Sequence, residues 1–126
     1  MKLNSICIVD DARAMQALAN RVITQQLGRK LFPATNGYIA LDVIHKHKPD
    51  ACFIDVEMPE INGLQLVSML RANPEFDQMP IAMLSSAASI FDRQKGLLVG
   101  ANIYLTKPFT KESIENALSE MESWND

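Results

Sequence analysis

No stretch of this 126-residue chain approaches the run of about 20 apolar residues that a bilayer-spanning helix requires. After Lys2 the chain passes directly into a strand-like stretch, with no cleavage signal of a secreted precursor. Together these absences lead to the expectation of a soluble, cytoplasmic protein. Cysteine is scarce: Cys7 and Cys52 each lie in an apolar run three residues before an aspartate. Neither spacing suggests a disulfide or a metal site, and both read as small buried hydrophobes. Clustered Lys and Arg are missing as well, and with a net charge of -3 the chain lacks what neutralising a nucleic-acid backbone demands. Low-complexity segments, repeats and linkers are absent, which excludes repeat arrays and a second folding unit.

What is present fits one globular domain over residues 1–126, because 48% hydrophobic and 21% charged residues supply a single core and a solvated surface. Short apolar runs alternate five times with longer helical patterns, the signature of an α/β fold with a parallel sheet covered on both faces. The spacing predicts strands at Ser5–Val9, Lys30–Ala34, Ala51–Ile54, Ile81–Leu84 and Ile103–Thr106. The second, KLFPA, carries Pro33, which cannot donate to a ladder and therefore belongs to an edge strand. Helical stripes run through Met15, Leu18, Ala19 and Val22, and through Gly63, Leu66, Val67 and Leu70. The last helix starts from a Thr110 cap, with Glu112 in its first turn, and runs through Ile114, Ala117, Leu118 and Met121. Gly28 fits a helix C-cap.

In an open parallel sheet the chemistry gathers beyond the carboxyl ends of the strands. Those ends carry Asp10, Asp11, Asp55, Ser85, Ser86, Thr106 and Lys107. Each has a plain structural explanation taken alone: an aspartate capping the first helix, Ser85 capping the fourth, Lys107 in a solvated loop. Three acids, a hydroxyl and an ammonium at one rim are harder to explain as separate caps. Two carboxylates about 4 Å apart repel by about 4 kcal/mol at an effective dielectric near 20, so the cluster calls for a cation. Oxygen donors without His or Cys favour Mg²⁺, and His45 and His47 fall in the second helix, away from the rim. A metal bridging Asp11 and Asp55 would neutralise an incoming phosphoryl group, with Lys107 and Ser85 on its remaining oxygens and a carboxylate as nucleophile.

Across essentially its full length the chain resembles the receiver domain of two-component response regulators, through "IVDDAR", "DVEMPEING", "MLSSA" and "YLTKPF". The resemblance implies a doubly wound, flavodoxin-like sheet of five strands in the order 2-1-3-4-5, in agreement with the edge placement of Pro33. It implies that Asp55 accepts a phosphoryl group from a sensor histidine kinase or a histidine phosphotransfer protein, without turnover of a separate substrate. Asp10, Asp11, Asp55 and the Glu57 backbone carbonyl would hold Mg²⁺, Lys107 would contact the phosphoryl oxygens, and the Lys107–Pro108 bond would be cis. Ser85 and Tyr104 would be the switch, the hydroxyl swinging toward the phosphate and the ring turning inward, to change the face of helix four, strand five and helix five.

Some positions depart from the family's common pattern. Glu57 fills a variable site beside the acceptor, where its charge would tune dephosphorylation or simply be solvated. Leu98 and Ile103 stand where many relatives carry acids. Phe91 and Leu98 are seven residues apart and share one side of the fourth helix, so with Ile103 they form either an exposed apolar docking patch or extra core. With the chain ending shortly after Trp124, output is expected through a downstream effector protein, as in single-domain, chemotaxis-type regulators. Two rival readings use similar residues. An aspartate-nucleophile phosphatase of the haloacid dehalogenase type places its nucleophile on the first motif strand, whereas Asp55 falls on the third. A flavodoxin-like FMN binder needs a phosphate loop where "DDAR" would repel one.

Overall fold

The computed structural model describes residues 2–86 and 90–124, the side chains of 90–92 excepted. Its five parallel strands are β1 (Ser5–Val9), β2 (Lys30–Ala34), β3 (Ala51–Asp55), β4 (Ile81–Ser85) and β5 (Ile103–Thr106). They lie in the order β2-β1-β3-β4-β5. β2 is an edge strand, as Pro33 requires: its outer side needs no ladder donor at that residue. Two strands run one residue further than their apolar pattern suggests. Asp55 ends β3 opposite Leu84, and Ser85 ends β4 opposite Thr106, so both polar side chains belong to the buried sheet.

The helices are α1 (Arg13–Ala19), α2 (Gly37–His47), α3 (Gly63–Arg71), α4 (Ile90–Val99) and α5 (Lys111–Ser123). α1 continues as a π-helical segment, Asn20–Gln26, in which Leu27 donates five residues back to Val22. Those wider turns leave both Val22 and Ile23 facing the core. Gly28, at φ +66°, then ends the segment in the left-handed conformation that glycine adopts without strain. Asn62 caps α3 through the Gln65 N–H, and Gln65 answers on the Asn62 N–H; Thr110 and Ser113 make the same reciprocal pair on α5.

Period-two alternation along each strand splits the core into two layers. Cys7, Val9, Cys52, Ile54, Ile81 and Met83 meet Ala40, Ile44, Leu66, Val67 and Leu70 from α2 and α3. On the opposite face Ile6, Ile8, Phe53, Ala82 and Leu84 meet Ala19, Val22 and Ile23 together with Ile114, Leu118 and Met121 of α5. Both cysteines are free and buried, Cys52 lying 3.7 Å from the Met79 sulfur. His45 and His47 are exposed near the end of α2, packed on Phe76 and Phe32. No helix among the described residues is long and apolar enough to cross a membrane.

Candidate functional site

Because all five strands run the same way, their carboxyl ends share one rim, and that rim brings together residues far apart in sequence. Carboxylate oxygens of Asp10, Asp11 and Asp55 lie within 4.8 Å of one another. Asp10 and Asp55 are buried and Asp11 is exposed, so the cluster opens to solvent on the Asp11 side. From the far end of the sheet, the Lys107 ammonium reaches 3.1 Å from Asp10 and 3.3 Å from Asp55. Its backbone is set by β4, since the Lys107 N–H donates to the Ser85 carbonyl at 2.7 Å. The Lys107–Pro108 peptide is cis.

The expectation of an aspartate cap on α1 is met only in part. Ala12 is the N-cap residue and makes no side-chain cap bond, but the Asp10 carboxylate accepts the Ala12 N–H at 2.9 Å. Ser85 is fully buried at the end of β4, whereas α4 begins at Ile90, so the hydroxyl sits with the sheet end. Ser86 and Thr106 are exposed at the same rim. Glu57 is exposed, and its N–H donates to Asp55 at 3.2 Å; the loop that follows returns to the end of β3, where the Gly63 N–H donates to the Val56 carbonyl at 2.9 Å. That return is possible because residue 63 is glycine. A Cβ there would collide with the Asp55 carbonyl oxygen and lie 2.8 Å from the Val56 Cα.

Burial first, and the charge of Asp10 second, push the Asp55 carboxyl from 3.8 up to about 6, against the opposing pull of Lys107 and the Glu57 N–H. Burial works against the Lys107 ammonium, but its bond to Asp10 and the charges of Asp55 and Asp10 outweigh that and raise its pKa. Three carboxylates against one ammonium leave an excess of negative charge. Every donor in the cluster is a hard oxygen with neither His nor Cys beside it, which fits Mg²⁺ and disfavours Zn²⁺. At neutral pH the Asp55 carboxylate is ionised, partly desolvated and flanked by a cation, which suits a nucleophile toward phosphorus.

Tyr104 is half-buried on β5, packed against the α2–α3 layer; its ring lies close enough to Gly96 of α4 that a Cβ there would stand 3.7 Å away. Of the residues expected to form an apolar patch, Leu98 is 85% exposed, while Ile103 is half-buried and packs with the α1–α5 layer. Phe91 belongs to α4, but its side chain lies outside the described residues. Leu97 belongs to the same surface, although no local pattern in the sequence marks it. It is 48% exposed and lines two surface hollows, one with Gln94 and Leu98, the other with Arg93, Ile103, Tyr104, Leu105 and Glu120. Nor does a local pattern mark Gln16, whose partners are the ends of two strands.

The sequence matches the family model described as the response regulator receiver domain over residues 6–119. It is 34% identical over 113 residues to Protein PilG of Pseudomonas aeruginosa, covering 90% of this chain and 83% of that protein. Response regulator MprA of a Mycobacterium species is 38% identical over 109 residues, which make up 86% of this chain but 46% of MprA. Among solved structures, the chemotaxis protein CheY4 of Vibrio cholerae superposes with a TM-score of 0.88 at 28% identity, covering 94% of this chain and 98% of that one. A putative response regulator from Chloroflexus aurantiacus superposes at 0.85 with 33% identity, covering 94% and 99% of the two chains.

Proposed function

The chain belongs to the family of response regulator receiver domains, and on that premise we propose that it is a phosphoryl-accepting switch with Asp55 as its acceptor. The observation that carries this reading is the convergence of Asp10, Asp11 and Asp55 within 4.8 Å, with Lys107 ion-paired to two of them. An Asp55 oxygen attacks the phosphorus of a phosphohistidine on a sensor kinase or phosphotransfer protein. The O–P bond forms as the N–P bond breaks, and the departing electron pair stays on the imidazole nitrogen, which takes a proton from solvent. Asp10, Asp11, Asp55 and the Glu57 carbonyl are the residues that would hold Mg²⁺, which when bound would supply positive charge to offset that of the carboxylates and the incoming phosphoryl group. Lys107 and the Ser85 hydroxyl take the remaining oxygens.

Output follows from the same residues. Recruitment of Ser85 toward the phosphate frees space beside Tyr104, and inward rotation of that ring changes the face made by α4, β5 and α5. On that face Leu97, Leu98 and Ile103 offer apolar contact to a downstream effector protein. The pathway is cytoplasmic and of the two-component or phosphorelay type. The haloacid dehalogenase and FMN-binding readings give way to the receiver reading because the family match extends over nearly the whole chain. Incubation with Mg²⁺ and acetyl phosphate, followed by intact-mass measurement, is expected to add a single phosphoryl group that chelation prevents and Asp55→Asn abolishes. Labelling that persists in the Asn variant rejects Asp55 as the acceptor.

A further inference from the structure

The geometry points to Gln16 as a positioning residue: its side-chain amide ties the ends of β1 and β2 together and holds Asp10 and Asp11 in place against their mutual repulsion. The role presupposes the magnesium-assisted acceptor site proposed above. Gln16 lies in the first turn of α1 and reaches back over its own N-terminus. Nε2 donates to the carbonyls of Asp10 at 2.9 Å and Ala34 at 3.0 Å, with a longer contact to Ile8 at 3.4 Å. Three carbonyl oxygens around one nitrogen settle the orientation of the amide, since its oxygen in that place would meet only acceptors. On the other side Oε1 is buried without a partner. Burial of an idle acceptor is unfavourable, and it is tolerated where Nε2 has strand ends to hold.

Asp10 is thereby engaged at every polar group. Its N–H donates to Ala34 at 3.0 Å, its carbonyl accepts from Gln16, and its two carboxylate oxygens accept from the Ala12 N–H and from Lys107. Asp11, exposed and next in the chain, takes its place between two anchored neighbours. Three carboxylates within 4.8 Å would relieve their repulsion most easily by displacing this loop between β1 and α1. The cross-strand tie opposes that displacement, so a cation meets an ordered pair of acids and does not have to order them.

Gln16→Met keeps the length of the side chain and removes its polar groups, while Gln16→Glu keeps the shape and turns an acceptor toward three carbonyls. Val22→Ala is the control, weakening the core without touching the strand ends. The readouts are the Mg²⁺ dissociation constant by isothermal titration and the thermal midpoint of each full chain. Losing a hydrogen bond of ordinary net strength is expected to weaken Mg²⁺ binding about three- to tenfold in Gln16→Met, and by more in Gln16→Glu. Val22→Ala should leave affinity unchanged at a similar fall in midpoint. Equal Mg²⁺ affinity in native protein and Gln16→Met overturns the positioning role and leaves the acceptor site standing; native protein that binds no Mg²⁺ defeats the acceptor reading itself. Independently of any variant, the Asp10 and Ala12 amides of metal-free native protein should be protected from hydrogen exchange, and unprotected exchange there also overturns the role.

Discussion

Replacing Asp55 by Asn separates the charge of the proposed acceptor from its shape. Burial and the neighbouring Asp10 raise the Asp55 pKa from 3.8 to about 6 in the folded chain, with the attraction of Lys107 and the Glu57 N–H already included. At about 1.4 kcal/mol per pKa unit, a shift of about two units makes the ionised side chain cost the metal-free fold about 3 kcal/mol at neutral pH. The folded value lies above the unfolded one, so this group's contribution is most favourable below its ordinary 3.8 and is lost as pH rises to and through about 6. Asn carries no charge at any pH and leaves the Lys107–Asp10 pair at 3.1 Å in place. It gives up the ionic part of the Lys107 contact, which reduces the expected gain. Metal-free Asp55→Asn should therefore be more stable than native protein by about 1–3 kcal/mol at neutral pH, with the difference shrinking toward zero near pH 4. Urea denaturation in chelator across that pH range measures it. Saturating Mg²⁺ should narrow the gap by stabilising the native chain, by about 2.7 kcal/mol at a hundredfold excess over its dissociation constant. A native protein more stable than the Asn variant at neutral pH without metal, or a gap independent of pH, refutes the account of Asp55 as a carboxylate ionised at a local cost.

Gly63→Ala should drive a methyl group into the backbone of Asp55 and Val56, lowering the urea midpoint by the equivalent of about 2–4 kcal/mol and slowing acetyl phosphate labelling. An unchanged midpoint would show that the loop after β3 yields more easily than its packing indicates. Lys107→Met leaves Asp10 and Asp55 without their shared counter-ion, so the Asp55 pKa should climb further and labelling at neutral pH should fall at least tenfold, by about 1.4 kcal/mol or more in barrier. A phosphorylation rate followed against pH checks both effects. Leu98→Asp, at a site 85% exposed, should change stability by less than about 0.5 kcal/mol, whereas half-buried Ile103→Asp should cost about 1–3 kcal/mol. Both variants should weaken effector binding in a titration with the identified partner while leaving labelling intact, and full binding by Leu98→Asp would remove that residue from the docking face.

Much of this molecule is legible in its sequence because a parallel α/β sheet writes itself locally. Buried strands must be short apolar runs, covering helices must carry a stripe, and Pro33 can only stand at an edge, so strand positions and the placement of β2 follow from the residues alone. The same alternation places Asp10, Asp11, Asp55, Ser85 and Lys107 at strand ends, hence at a common rim. What the sequence by itself could not decide is which side chains meet there and how they are buried. The ion pair between Asp10 and Lys107 spans 97 positions, and the tie from Gln16 depends on where two strand ends lie relative to α1. Ile103 and Leu98 look alike as letters, yet one is half-buried against the core and the other points into solvent. Periodicity reports which face of an element is apolar; only the packing of one element on another sets the distances, the exposure and the raised pKa of Asp55.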